Sequence, residues 1–533
     1  MFIGYVSDER YVALPEVSIT FEGPSGSVAT RSQADGSVHA ALMPGPYVVT
    51  LAASGFGSKR VRITLPTTRP HHFRLLSDRL LGYAWPKWVR SGEESEFRVH
   101  SPELYRLDLY RYGREVEHIR NLGWHDEHGP RATAQITPDG DYTQTGVAWN
   151  REGYASPVHR QYATAPDRSG LYYFHARTNS GQHFAFPWVV APAQPTAPIA
   201  FLAATMTWNA YNAFGGRSNY ISPDRLPLQP TVNARQELRR YTDPNHVTYD
   251  ADSYDPLSFD RPELVNDIDL NERPEDPIQG RASCHLAPSE WRILSWLERE
   301  GFAHDVYADN QLDDGTLDLD AYRVLVLAPH PEYWTKGMYD RVKDWVDHRG
   351  GRVVYLGGNG VNCEVTLPDP DTMIVHNGRE SQVYPCGLDS RFHLTTGVSE
   401  ATLLGVAFTY SGAMTAAPFR ATEADHWAFG GTGLANGDRF GLKSLHMRCD
   451  GGASGHETDK VTPQSPAGVR VIARGENIDD GGAHLALYAT PSGGAVFAAS
   501  SITYPACLLV DDAISTITSN VFRRFLDEGP VTP

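Results

Sequence analysis

The chain has 533 residues, of which 41% are hydrophobic, 11% aromatic and 21% charged, the make-up of a packed globular protein. Since domains usually run about 100 to 200 residues, several cores are expected. With 64 acidic against 47 basic side chains the formal net charge is −17, which repels phosphate backbones and anionic lipid and argues against nucleic-acid and membrane-surface partners.

The opening MFIGYVSDER has neither the basic start nor the apolar stretch of a secretory signal, so a cytoplasmic location is expected. Over residues 1–78, short alternating runs such as Val17-Ser18-Ile19-Thr20-Phe21 and Tyr47-Val48-Val49-Thr50-Leu51, separated by Gly and Pro turns, predict a small β-sandwich accessory domain. Its Ala34-Asp35-Gly36-Ser37 segment, ahead of a Pro44-Gly45-Pro46-Tyr47 turn, resembles transthyretin-type regulatory domains. Residues 79–195 alternate again, at Ser95-Glu96-Phe97-Arg98-Val99 and Tyr105-Arg106-Leu107-Asp108-Leu109-Tyr110, and predict a second sandwich. Pro192, Pro195 and Pro198 then punctuate the chain, because closely spaced prolines continue neither sheet nor helix.

From 196 to 533 the period changes. Ile199-Ala200-Phe201-Leu202-Ala203-Ala204-Thr205 is a continuous apolar run of strand length. Residues 223–277 are rich in Asp, Asn and Pro and read as a long loop over a site. A helix over 288–300 carries Trp291, Leu294 and Leu297, and strands follow at 304–308 and 322–329. A second helix, 336–349, places Met338, Val342, Trp345 and Val346 on one face and stops at Gly350-Gly351, before a strand at 352–356. Residues 365–520 are glycine-rich and mixed, with a late strand at 494–500 and a closing helix at 514–525. The fold class expected is therefore multidomain: N-terminal all-β sandwiches, then an α/β doubly wound domain with a parallel sheet, one that resembles glutamine-amidotransferase-like domains. Cys284, Cys363, Cys386, Cys449 and Cys507 lack C-x-x-C spacing and read as reduced core thiols.

In open α/β sheets, ligands sit beyond the carboxyl ends of the strands. Two segments fall there, His330-Pro331-Glu332-Tyr333-Trp334 and Gly357-Gly358-Asn359-Gly360. Taken with TWNAYNAFGGRS at 207–218 and GASGHETDK at 452–460, they form an ordered set that resembles the large (beta) subunit family of N,N-dimethylformamidase over roughly 198–525. The resemblance implies a metal-dependent hydrolase of a small amide C–N bond, with one iron held by tyrosine phenolates and a glutamate, and a small companion subunit. Phenolate and carboxylate are hard anionic donors suited to ferric iron, and no H-E-x-x-H or clustered cysteine offers a zinc alternative. By resemblance Tyr333 is a metal ligand and Glu457 the acid–base residue; Glu364, just after the Gly-Asn-Gly turn, is a further candidate ligand read from position alone. His330, Asn359 and His456 complete the candidate catalytic set, and His446 flanks the same glycine-rich segment.

Two features depart from the family pattern. The segment 284–296, where a second tyrosine is expected, contains His285, Glu290 and Trp291 and no tyrosine. The family's acid-containing Gly-Leu-Trp-Arg segment is also not recognisable; Glu380, Asp389 and His393 lie near its place. These departures leave room for a second reading, a non-catalytic protein whose sandwiches and degenerate α/β pocket bind a carbohydrate or a partner. A third is a metal-free hydrolase using His330 and Glu332. The apolar faces of accessory sandwiches also make homo-oligomerisation plausible.

Overall fold

The computed structural model describes residues 1–532 apart from 25, 126–136, 150–160, 234–252, 281–282, 328 and 379–388. Period-two burial in the first segment builds two facing sheets. Strands Gly26–Arg31, Ser18–Gly23, Gly45–Ala53 and Gly57–Leu65 form one, and Ser37–Ala40, Phe2–Ser7 and His71–Arg74 the other. Between them lie Val6, Ile19, Phe21, Val49 and Phe73. A second pair follows, with five strands centred on Tyr105–Tyr112 and Gly170–Thr178, and three centred on Glu94–His100. One face of the five-stranded sheet lines its own core through Leu107, Leu109, Phe174 and Phe186. Its other face presents Tyr112, Leu171 and Tyr173 to the α/β region, where the Tyr112 and Trp291 rings meet edge to face, 4.8 Å between centroids. Burial on both faces explains why Gly170–Thr178 reads as nearly continuous hydrophobic sequence.

The α/β region is built on β1 (Ile199–Ala203), α1 (Thr205–Tyr211), β2 (Leu257–Ser258), α2 (Ala287–Arg299), β3 (His304–Ala308), β4 (Val324–Leu327), β5 (Tyr333–Trp334), α3 (Lys336–His348), β6 (Arg352–Tyr355), β7 (Cys363–Asp369) and β8 (Thr372–His376). It continues through β9 (Phe419–Ala421), β10 (Arg439–Phe440), β11 (Arg470–Gly475), β12 (His484–Ala489), β13 (Ala495–Ala498) and α4 (Asp512–Leu526). The main sheet has nine strands in the order β3-β1-β4-β6-β13-β12-β11-β9-β10.

From β3 to β13 the neighbours are parallel. Alternate residues of these strands face opposite layers. Phe201, Val326 and Val354 pack with Trp291 and Trp296 of α2 and Phe522 of α4, whereas Leu202, Leu325 and Val353 pack with Met338, Val342 and Trp345 of α3. Helices on both faces are what a doubly wound sheet requires.

The expectation of a parallel sheet holds only for this half. From β13 onward every neighbour is antiparallel. β12 and β13 are joined by a tight connection closed by Thr490 N–H to the Gly494 carbonyl at 2.8 Å, and a connection that short permits only antiparallel pairing.

β5 leaves the main sheet and pairs in parallel with β7, within a small sheet ordered β2-β8-β7-β5. Cys284, Cys363, Cys449 and Cys507 are buried free thiols, as the spacing predicts; Cys386 lies outside the described residues. Among the described residues no helix is long and apolar enough to cross a membrane.

Candidate functional site

The order β3-β1-β4 places β1 between strands whose connections run in opposite directions, and beyond the carboxyl ends of strands at such a point is the crevice in which sheets of this kind take their ligands. Residues following β1, β4 and β6 converge there. α1 starts directly after β1 with no capping side chain of its own. Its end is held by two fully buried acids instead: Glu290 accepts from Ala204 N–H (3.1 Å) and Trp208 Nε1–H (2.8 Å), and Asp309 accepts from Met206 N–H (3.3 Å). Burial pushes the Glu290 carboxyl up to about 8. The helix thus delivers Tyr211 to the crevice.

Beyond α1 the chain turns back on itself. Arg217, fully buried, bonds to Asp141 (2.7 Å) and to the carbonyls of Pro223 and Pro256. Asn219 N–H bonds to the Ala210 carbonyl at 2.8 Å. Asn219 and Tyr220 are thereby brought beside Tyr211.

After β4, His330 donates from Nδ1 to the Gly358 carbonyl (3.0 Å), and its Nε2 lies 2.9 Å from Glu332 Oε2. That same carboxylate oxygen accepts from the Tyr211 and Tyr220 hydroxyls, at 3.1 and 3.0 Å. The Tyr220 hydroxyl is 2.8 Å from that of Tyr333, which also accepts from the Asn219 amide at 2.5 Å. Three phenols, one carboxylate and one imidazole therefore share a single network.

Burial alone would depress His330, but the adjacent Glu332 carboxylate, with Glu457 further off, outweighs it and raises the imidazole to about 9. Burial likewise opposes ionisation of Glu332, yet the His330 charge, with Arg391 contributing, holds it below the usual carboxylate range. His330 is accordingly an imidazolium at neutral pH with its Nδ1 proton committed to Gly358. It serves as a fixed positive charge rather than as a free base.

Glu457 faces this pair from the glycine-rich segment. Its Oε2 is 3.9 Å from His330 Nε2, and its side chain is 24% exposed where Glu332 is 4% exposed. The Asn359 amide donates to it at 2.9 Å. Asn359 occupies the left-handed region (φ 53°), as does His456 (φ 66°); such backbone tends to persist where the surroundings over-determine it. Gly358 is required by close approach, since a Cβ there would lie 2.4 Å from the Glu457 carbonyl oxygen.

Of the candidate residues, His330, Tyr333, Asn359 and Glu457 converge together with Glu332. His456 lies beside them, 3.1 Å from His446 through their ring nitrogens. Burial lowers His446 to about 4, so it is neutral at ordinary pH. Glu364 is half-buried on β7 opposite Trp334. Strand alternation puts its side chain on the face away from Cys363, whose thiol meets Asn377 at 3.4 Å, and Asn377 in turn bonds Asn219. Asp389 is engaged elsewhere by Ser399 and Thr462, and His393 sits on a separate helix, Arg391–Thr396. Glu380 lies outside the described residues.

Tyr211, Tyr220 and Asn219 were not singled out from the sequence, although Tyr211 stands inside the TWNAYNAFGGRS motif. His285, noted there only as standing where a tyrosine was expected, packs against Tyr211, His330 and His456 with ring centroids 4.6, 5.1 and 5.4 Å away. Among the described residues no group of three or more His, Cys, Asp or Glu side chains is arranged to hold a metal ion.

Residues 103–516 match the family described as N,N-dimethylformamidase beta subunit-like, C-terminal. The chain belongs to that family. The match begins inside the second sandwich, well before the TWNAYNAFGGRS segment at 207–218, so this N,N-dimethylformamidase beta subunit-like unit includes part of the sheet on which α2 packs. Two relatives, both named N,N-dimethylformamidase beta subunit, are 25% identical over 407 residues (Alcaligenes sp; 64% of this chain, 51% of the relative) and 26% identical over 432 residues (Paracoccus aminophilus; 69% and 54%). The chain spans about half the length of these curated relatives.

Proposed function

We propose that the chain hydrolyses the C–N bond of a small amide, with Glu457 as the acid–base group. The observation that carries this reading is the asymmetry of the crevice: Glu457 is the partly open carboxylate, set between the Asn359 amide and the His330 imidazolium, while its other polar partners are buried. Glu457 takes a proton from the attacking water and returns it to the departing nitrogen. Asn359 orients the carboxylate, and His330 supplies a fixed positive charge in a site sheltered from water. The names of the two relatives support amide hydrolysis, and their description as beta subunits supports a companion subunit.

Iron belongs to the same proposal. Phenol and carboxylate oxygens form a hard donor set that fits ferric iron, and Tyr333, Tyr220 and Glu332 are the residues that would hold it. When bound, iron polarises a carbonyl and acidifies water. Glu364, facing away from this group, is not among the proposed ligands.

The test is amine release from N,N-dimethylformamide and a panel of small formamides and acetamides. Turnover is expected, with kcat lowered about 10²- to 10⁴-fold in Glu457→Gln. No release across the panel, or an unaltered rate in Glu457→Gln, overturns the reading. Iron content of protein purified without chelator separates the iron form from metal-free hydrolysis.

A further inference from the structure

We propose that Asp459 is a positioning residue that sets Glu457 in place through the Gly358-Asn359-Gly360 turn; this rests on the hydrolase reading above. Asp459 is 1% exposed. Its Oδ1 accepts from the Asn359 backbone N–H at 2.8 Å, and its Oδ2 from the Tyr355 hydroxyl at 2.7 Å. The Tyr355 oxygen in turn accepts the Gly360 N–H at 2.7 Å. Two consecutive N–H groups of the turn therefore end on one carboxylate and the phenol bound to it.

The turn needs such an anchor. Asn359 sits in the left-handed region, which a non-glycine residue keeps only where its neighbours hold it. The consequence reaches Glu457 from both sides: Gly358 lies against its carbonyl oxygen, and the Asn359 side chain donates to its carboxylate at 2.9 Å. Asp459 itself is fixed by its own N–H, bonded to the Ser500 carbonyl at 2.9 Å at the end of β13. The anchor therefore sits on a two-stranded sheet, opposite Phe408, that is tied to the chain just beyond β13. A residue that merely filled this space would be apolar, because burying a carboxylate is costly and no cation among the described residues is in contact with this one.

A double-mutant cycle on amide hydrolysis tests the claim. Asp459→Asn keeps the shape but turns a donor toward one of the two N–H or O–H groups, and should lower kcat roughly 10- to 100-fold with KM within about twofold. Asn359→Ala should do the same. If Asp459 acts through Asn359, the double variant is no slower than the worse single variant; if the two losses multiply, the proposal is overturned. Hydrogen–deuterium exchange supplies a readout independent of turnover: Asp459→Asn should lose protection in the 357–360 peptide while the sandwich peptides keep theirs. Unchanged protection there overturns the proposal whether or not any amide is turned over. Absent turnover by the unaltered protein with lost protection at 357–360 rejects the hydrolase reading and leaves the anchoring role standing.

Discussion

Glu332 and Asp459 are both fully buried carboxyls on either side of one crevice, and their environments drive them in opposite directions. Glu332 has an imidazolium 2.9 Å away and is held below the ordinary carboxylate range despite its burial. Asp459 has a phenol and a backbone amide, both neutral, and burial pushes it up to about 7. Depth alone therefore does not decide the charge of a buried acid; the sign of its nearest partner does. One side of the crevice is an ion pair and the other a hydrogen-bonded hinge, with Glu457 between them.

The largest effect should come from breaking the ion pair. His330→Ala leaves Glu332 buried without its cation and should cost about 3–5 kcal/mol, read by urea denaturation. Adding Glu332→Gln should recover a good part of the loss, since the uncompensated charge is then gone. A loss below about 1 kcal/mol for His330→Ala would erase the contrast with Asp459.

The pH dependence separates the two sides. His330, at about 9 against an ordinary 6.5, contributes stability that is fully present below pH 6.5 and lost as the pH rises through 9. Asp459, at about 7 against an ordinary 3.8, binds its proton more tightly in the folded chain, so its stability contribution falls between those values. Glu332 works the other way, adding stability above the ordinary glutamate range that is lost as the pH falls through its lowered value. Between pH 5 and 9 Asp459 and His330 together should lower stability by about 6 kcal/mol, at about 1.4 kcal/mol per pH unit traversed. In Asp459→Asn the decline below pH 7 should be shallower by the Asp459 share, with the part owed to Glu290 and His330 remaining; an unchanged curve would place the titration elsewhere.

The smallest effect expected is steric. Gly358→Ala sets a methyl against the Glu457 carbonyl oxygen and should cost about 1–3 kcal/mol. Thermal denaturation reads this, and an unshifted midpoint would show that the hinge is looser than its geometry implies.

Much of the α/β frame was legible in the sequence because its signals are local. Val324–Leu327 and residues 353–356 are unbroken apolar runs, and Lys336–His348 carries a capping Thr335 and one apolar stripe. His330, Tyr333, Asn359 and Glu457 could be singled out because strand ends and glycine turns are readable. α1 was not legible as a helix: it has seven residues and no capping side chain of its own. The groups that hold its start, Glu290 and Asp309, lie about 80 to 100 residues downstream. The antiparallel half of the main sheet was hidden for a related reason. β9 and β10 have three and two residues, too few to show a period.

By itself, the sequence determined which segments are strands buried on both faces, where those strands end, and which motif residues follow them, because hydrophobic periodicity and turn chemistry act over a few neighbouring positions. The tertiary structure alone decided that Tyr211, Tyr220 and Tyr333 share one carboxylate, that His285 packs into the place where a tyrosine was expected, and that Asp459 anchors the turn holding Asn359. Those contacts join residues tens to more than a hundred positions apart, and only the folding of separate strand ends and loops onto one another brings them into contact.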